Sequence, residues 1–382
     1  MDNITSKAVL NYQEDTYLNS LTNSSSQLNV STLQPARPPL LTDIEYKEFI
    51  RRLPEFSFMI CLSLIGTIGN AHTILVYTRL RHMIERSKVR TLIIWLSAVD
   101  LTTSVVVMPF EMVVTRLGYS ISSNAICKLV RYISHSTAFS SWLILTVIAY
   151  ERYKSIYNIL LGTSSSPKSL FKVTRWIKTK STYFKHNFVC ILIIILSLMI
   201  STPFAVVIGI ETVQLKEPGL FGTICTTQYK YRTKLYTGFF VGIITSFVML
   251  CFICCSYCYG KIICIIRKQS VKAKRRRENN LRLRGNPRKA KLGSGNCKPN
   301  MRNAKYKVTI SLIVATALSF CSSMIFAITI SEVLLKSELK RNRIVDFALR
   351  GIFINHTCNP VIYFLFDTKF RNACKKLYTK QK

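Results

Sequence analysis

The chain has 382 residues, of which 49% are hydrophobic, and its formal net charge is +35. This length fits either two soluble domains or one membrane domain. The hydrophobic residues form seven blocks of about 20 or more residues, which is too long and too uniformly apolar for the helices of a soluble core. The blocks are 55–78, 91–113, 127–150, 187–211, 235–266, 308–335 and 344–366. We therefore predict an all-α membrane protein, a bundle of seven transmembrane helices.

The positive charge is concentrated in alternate segments between these predicted spans. Residues 261–307 contain 17 Lys and Arg residues and one acid, whereas residues 1–50 contain six acids and three bases. The positive-inside rule then predicts an extracellular N-terminus and a cytoplasmic C-terminus in the plasma membrane. The run Lys274–Arg277 is also typical of nucleic-acid binding, but it lies between two spans. We expect it to contact anionic membrane lipids and not nucleic acid.

The two ends of the chain have their own compositions. Residues 1–54 are polar and rich in Asn, Ser and Thr, which predicts a disordered extracellular tail. Three sequons in this tail predict glycosylation of Asn3, Asn23 and Asn29. Residues 367–382 predict an amphipathic eighth helix on the inner membrane face, followed by a short cytoplasmic tail. Cys374 in that helix is a candidate for palmitoylation.

The 13 cysteines do not show the spacing of a metal site, and most lie inside the apolar blocks, where they act as small hydrophobic residues. Only Cys127 and Cys225 fall on the predicted extracellular side. They are therefore the candidates for a disulfide in an oxidising space.

A few polar residues stand inside the predicted spans, where burial in hydrocarbon is costly. Asp100 in the second span is a carboxylate near mid-membrane, and Asn70 lies in the first span. Such residues indicate function, although a structural hydrogen bond to a neighbouring helix is the alternative. In the seventh span, Pro360 is expected to kink the helix because it lacks a backbone N–H.

These features together resemble the rhodopsin-like (class A) G-protein-coupled receptors, of the neuropeptide-receptor type. The resemblance covers residues 55–378 and depends on the order and spacing of three motifs. They are Glu151-Arg152-Tyr153 at the end of the third span, Asn359-Pro360-x-x-Tyr363 in the seventh, and Cys127, 25 residues before Arg152, with Cys225 in the following extracellular loop. The resemblance implies a receptor, not an enzyme, that transmits the binding of an extracellular ligand to a heterotrimeric G protein.

The resemblance also implies roles for single residues. Cys127 and Cys225 should form a disulfide. Arg152 should pair with Glu151 in the inactive receptor and contact the G protein in the active one, because a guanidinium is always charged and offers several donors. Tyr259 and Tyr363 should then move toward Arg152.

A buried sodium-binding cluster is implied as well, and an allosteric sodium ion is the one cofactor that we expect. Carboxylate, hydroxyl and amide oxygens suit a small hard cation. A water-filled polar network is the alternative. The implied members are Asp100, Ser141, Asn70, Asn355 and Asn359.

The chain also departs from the family pattern. The fifth span lacks the usual proline, and the segment Phe320–Ile325 of the sixth span has neither the Trp nor the Pro of the Cys-Trp-x-Pro motif. The aromatic toggle and the kink of that helix are therefore not expected. Trp142, next to Ser141, is a candidate to fill part of the missing aromatic volume.

The sequence narrows the possible classes of ligand mainly by excluding some of them. Ser134 stands where an amine receptor has Asp, and Gly351–Ile354 lacks the Lys of an opsin. A peptide or a lipid remains, and a neuropeptide is implied because Met108–Phe110, Cys127-Lys128 and Glu151-Arg152-Tyr153 together resemble the neuropeptide receptors. A transporter is the alternative class, but the sequence lacks the internal repeats typical of transporters. Charged residues expected at the outer mouth, either as ligand contacts or as a solvated rim, are Glu111, Arg116, Lys128, Arg131, Glu332, Asp346 and Arg350.

Overall fold

The fold is a bundle of long helices with one β-hairpin at the end that was predicted to be extracellular, which we call the outer end. The computed structural model describes residues 40–79, 88–160, 172–284 apart from 216, 218, 232 and 233, 299–335 and 343–379. The predicted glycosylation sites Asn3, Asn23 and Asn29 lie outside these ranges.

Six helical segments of the described chain are long and apolar enough to cross a membrane. They match the first six predicted blocks, and most extend beyond them. The helices are α2 (Leu53–Arg79), α3 (Lys88–Thr102) continued by α4 (Met108–Leu117), α5 (Asn124–Leu160), α6 (Lys172–Val207), α7 (Lys234–Arg284) and α8 (Pro299–Leu335). Their outer faces expose large apolar side chains such as Leu64, Ile195 and Leu250, as expected for helices surrounded by lipid.

The second span contains a π turn, Thr103–Val107, between α3 and α4. Pro109 lies at the start of α4 and cannot donate a backbone hydrogen bond to the preceding turn. The helix widens at this point, with the Met108 N–H donating to the carbonyl of Thr103. The extra residue in this turn changes which side chains of α4 face the bundle.

The fourth span is shorter than predicted. We predicted residues 187–211, but α6 ends at Val207, and β1 (Ile208–Gln214) begins at the next residue. β1 pairs antiparallel with β2 (Phe221–Thr227), and Ile210 faces Cys225. The run from Val206 to Ile210 is apolar and, except for Gly209, β-branched, so it suits a strand as well as a membrane helix.

The seventh block does not form one helix. α9 (Arg343–Arg350) is followed by a 3₁₀ turn, Gly351–Phe353, and by α10 (Ile354–Phe366). The helical pieces have eight and 13 residues, fewer than the roughly 20 that cross a bilayer in one helix. We predicted one span over 344–366 with a kink at Pro360, and the structure instead interrupts the helix at Gly351, a residue of low helix propensity.

Two short helices flank the bundle. Residues 41–51, which we predicted to be disordered, instead form α1 (Leu41–Arg51). Glu45 of this helix is buried and accepts a hydrogen bond from the backbone N–H of Tyr119 at 2.9 Å. At the other end, Asp367 precedes α11 (Thr368–Thr379), and its side chain accepts bonds from the N–H groups of Lys369 and Phe370. The bond to Glu45 ties α1 to the bundle, whereas the bonds to Asp367 cap the start of α11.

Candidate functional site

A cavity of about 440 Å³ lies at the outer end of the bundle, beneath the hairpin. Its wall includes Cys225, Thr226 and Thr227 of β2. The structure contains the predicted disulfide between Cys127, in the first turn of α5, and Cys225. The disulfide therefore holds the hairpin over the cavity and keeps it at a fixed height above α5.

A buried ion cluster forms the polar end of this cavity. Glu111 of α4 is only 1% exposed, and its two carboxylate oxygens accept hydrogen bonds from Arg131 of α5 and Arg350 of α9. Arg350 also donates to Thr115 Oγ1 at 3.4 Å. The Glu111 carboxylate therefore joins α4, α5 and α9, and its removal would leave two guanidinium groups without their shared acceptor.

Other charges predicted for the outer mouth have contacts outside this cluster. Asp346, which also lines the cavity, is within 3.6 Å of Arg51 in α1. Burial opposes ionisation of the neighbouring Glu48, but bonds and charges from Arg51 and Arg52 outweigh it and keep the pKa of Glu48 below its usual value. Arg116 lies over the ring of Phe49, 4.9 Å from its centroid. The side chain of Glu332 falls outside the described part of the chain.

Aromatic side chains form the floor of the cavity. His135 stacks on Phe204 with ring centroids 4.6 Å apart, and Phe139 packs edge-on against Phe247 and Trp142. Trp142 is 2% exposed, lines the cavity and donates its indole N–H to Ser323 Oγ of α8 at 2.9 Å. An indole on the third span thus contacts the segment where the sixth span lacks its tryptophan. α8 runs without interruption through this region, as expected from its lack of an internal proline.

The Trp142–Ser323 bond is expected to link the cavity floor to α8. Trp142→Phe keeps the ring but removes the donor, so we expect a loss of about 1 kcal/mol in stability, measured by thermal unfolding in detergent. Ser323→Ala should cost a similar amount, and the double variant should cost little more than either single variant, because both remove one bond. Additive losses would show that the two side chains are not coupled. Ser322→Ala, next to Ser323 on α8, is the matched control.

A second polar cluster lies midway through the bundle, below the cavity floor. The carboxylate of Asp100 is fully buried. Asn359 Nδ2 donates to its Oδ2 at 2.9 Å, and Ser141 Oγ donates to its Oδ1 at 3.4 Å. Asn355 Nδ2 donates to Ser141 Oγ at 3.3 Å. Four of the five residues of the implied sodium cluster therefore form one hydrogen-bonded group.

Asn70, the fifth member, has a different function in this structure. Pro360 lacks the N–H that would bond to the carbonyl of His356 four residues earlier. Asn70 Nδ2 donates to that carbonyl at 2.9 Å, and also to the carbonyl of Gly66 at 2.9 Å. Asn70 therefore joins α2 to α10 at the proline and satisfies the backbone group that the proline leaves free.

His356 is the functional residue that the sequence reasoning left out of this cluster. Its Nδ1 lies 2.8 Å from Asp100 Oδ1, and its side chain is 3% exposed. The sequence did contain a signal for His356, because residues 355, 356 and 359 lie at adjacent positions on one face of a helix. His356 thus places a ring nitrogen against the carboxylate, in a cluster that otherwise consists of hydroxyl and amide groups.

The inner end of α5 carries the Glu151-Arg152-Tyr153 motif. Glu151 is within 3.6 Å of His186 Nε2 in α6, and none of the ion pairs within 4 Å among the described residues joins it to Arg152. Asp367 and three tyrosines, Tyr77, Tyr259 and Tyr363, lie close enough to Arg152 to act on it electrostatically. The implied pairing of Glu151 with Arg152 is thus not seen among the described residues, and Tyr259 and Tyr363, which were expected to approach Arg152, are already in its vicinity.

Two buried polar groups in this region, the Nε of Arg152 and the hydroxyl of Tyr363, lack hydrogen-bond partners in the described chain. Tyr259, by contrast, is fixed to α8 through Thr316 Oγ1 at 3.1 Å. Burying a polar group without a hydrogen-bond partner costs free energy. A rearrangement that pairs these two groups, directly or through a bound partner, is therefore favourable.

Cys374 of α11 packs in a buried cluster with Tyr77, Tyr363 and Phe370, and it is 6% exposed. Burial raises the pKa of its thiol. Palmitoylation of Cys374 stays a prediction that requires the thiol to leave this cluster.

The fold and the motifs define a class of protein. The sequence model of the rhodopsin family of seven-transmembrane receptors matches residues 69–363, most of the chain. The chain therefore belongs to this family, the class A G-protein-coupled receptors. It is a multi-pass plasma-membrane receptor that signals through G proteins, and not an enzyme.

Three relatives show where in the family the similarity lies. The chain is 25% identical to the mouse C-X-C chemokine receptor type 1 over 338 residues, 84% of this chain and 78% of the relative. It is 24% identical to the gonadotropin-releasing hormone II receptor of Clarias gariepinus over 363 residues, 91% of this chain and 83% of the relative. It is 27% identical to the mouse neuropeptide Y receptor type 6, over 59% of this chain and 57% of the relative.

Proposed function

We propose that this receptor binds a peptide in the cavity under the hairpin and activates a heterotrimeric G protein at the inner end of α5. The relatives carry the names of chemokine, neuropeptide Y and gonadotropin-releasing hormone receptors. The observation that carries the proposal is the cavity itself. It combines an ion cluster, Glu111 with Arg131 and Arg350, with an aromatic floor, and a peptide supplies both charged ends and apolar side chains.

In this proposal, α9, the 3₁₀ turn and α10 together form the seventh span. They cover residues 343–366, and the break at Gly351–Phe353 places Arg350 beside the cavity and His356 beside Asp100. The N-terminus is extracellular, the C-terminus is cytoplasmic, and α11 lies as an eighth helix along the inner membrane face. The alternation of basic segments supports this orientation.

The signal would pass down the bundle in three steps. A ligand in the cavity presses on Trp142, whose bond to Ser323 transmits the change to α8. Tyr259 couples α7 to α8 through Thr316, so both helices move together. The inner ends of these helices then open a cleft beside Arg152, where the G protein binds. A ligand shifts this equilibrium only by as much as it prefers the open state.

The ligand class is tested with fractionated extracts on membranes that contain the receptor. Nucleotide exchange on the G protein is the readout. An aqueous, protease-sensitive fraction should activate the receptor, and the response should shift to higher concentration, by about 10–100-fold, in Arg131→Ala. Activity that survives protease and moves to an organic extract would assign a lipid ligand instead. Arg116→Ala, outside the ion cluster, is the matched control.

A further inference from the structure

Asp100 is the acidic residue of the mid-bundle cluster, and α10 contributes a short polar contact to each of its carboxylate oxygens. His356 Nδ1 is 2.8 Å from Oδ1, and Asn359 Nδ2 donates to Oδ2 at 2.9 Å. Ser141 adds a longer bond of 3.4 Å to Oδ1. Both Asp100 and His356 are buried, so these short contacts are the ones that offset the cost of burying the carboxylate.

A sodium ion would require a different set of groups. Hard cations bind oxygen atoms, and they do not bind the hydrogen side of N–H donors. At 2.8 Å, one proton lies between the imidazole nitrogen and the carboxylate oxygen, whichever of the two carries it. A cation that took the place of His356 at Oδ1 would leave the buried imidazole without its partner, and at Oδ2 it would have to fit beside the amide of Asn359.

The other oxygen atoms of the cluster cannot replace the carboxylate as ligands of a cation. Asn70 Oδ1 and Asn355 Oδ1 are buried and lack a hydrogen-bond donor among the described residues. They are neutral amide oxygens, and without the carboxylate they cannot balance the charge of a cation. Ser141 Oγ already accepts from Asn355 and donates to Asp100. Each of these neutral oxygens is equally well suited to a water molecule.

We infer that His356 takes the place of the sodium ion, and that this receptor is insensitive to sodium because of that one residue. The imidazole joins α3 to α10 through Asp100, as a bound ion would. Unlike an ion, it is part of the chain, so the link does not depend on the sodium concentration. The inference concerns the helix bundle alone and is independent of which ligand the receptor binds.

The test is thermal unfolding of the purified full-length receptor in sodium chloride and in N-methylglucamine chloride at equal ionic strength. The wild type should unfold at the same temperature in both salts. His356→Ser replaces the imidazole with a small oxygen ligand and should gain a sodium-specific rise of about 2–4 °C. The double variant His356→Ser/Asp100→Asn should lose that gain. His356→Asn, a second small oxygen-bearing side chain, serves if the serine variant does not fold.

Two results would overturn the inference. One is a sodium-specific stabilisation of the wild type that Asp100→Asn abolishes, which would show that the cluster binds the ion with His356 in place. The other is a folded His356→Ser and His356→Asn pair without any sodium effect, which would show that His356 is not what excludes the ion. The readout requires neither ligand nor G protein, so a wrong peptide assignment leaves the result unchanged.

Discussion

Arg152→Ala is expected to lower G-protein nucleotide exchange by about 10–100-fold, both basal and ligand-stimulated, while the receptor still folds and reaches the membrane. Arg152 is a partly buried cation in the vicinity of several tyrosines, and its Nε lacks a hydrogen-bond partner in the described structure. It can therefore offer charged donors to a bound G protein without first breaking an ion pair. The measurement is exchange on purified G protein in receptor-containing membranes, normalised to surface expression.

Three variants separate this role from simple loss of charge. Arg152→Lys keeps the charge but not the planar fork of donors, so it should be intermediate. Lys154→Ala removes an exposed cation from the same turn of α5 and should keep most of the exchange. Glu151→Gln should change basal exchange little, since the ion pair of Glu151 is with His186 and not with Arg152. Normal exchange in Arg152→Ala would contradict the assigned role.

Glu111→Gln is expected to destabilise the outer half of the receptor by about 3–5 kcal/mol, the usual cost of leaving a buried charge without its partner. Glu111 is 1% exposed and is the shared acceptor of Arg131 and Arg350. Without its charge the two guanidinium groups repel each other inside the cavity. The measurement is the unfolding temperature in detergent, with binding of the activating fraction as a second readout.

The double variant Glu111→Gln/Arg350→Gln tests whether repulsion between the two guanidinium groups causes the loss of stability. It removes one of the two cations, so it should be more stable than the sum of the two single losses predicts. Arg116→Gln, five residues after Glu111 on α4, is the control, and loss of its contact with Phe49 should cost at most about 1 kcal/mol. If Glu111→Gln costs no more than this control, the ion cluster does not stabilise the bundle.

Prediction from sequence succeeded where the signal is local. A long apolar run predicts a membrane helix because lipid requires every backbone group to be bonded within the segment. The disulfide followed from the resemblance, and the structure confirms it. Prediction failed where local signals compete. The end of the fourth span at Val207 and the break at Gly351 depend on packing against the hairpin and against α8, which the hydrophobic pattern does not report.

The sequence by itself therefore determined the class of protein: its membrane spans, its basic segments and the motifs that mark the rhodopsin family. The tertiary structure determined which side chains contact each other. His356 meets Asp100 across 256 residues of chain, Arg350 meets Glu111 across 239, and Trp142 meets Ser323 across 181. Hydrophobicity and spacing act along the chain and can be read from it. Hydrogen bonds and ion pairs depend on which helix faces are brought together, and only the packed bundle fixes that.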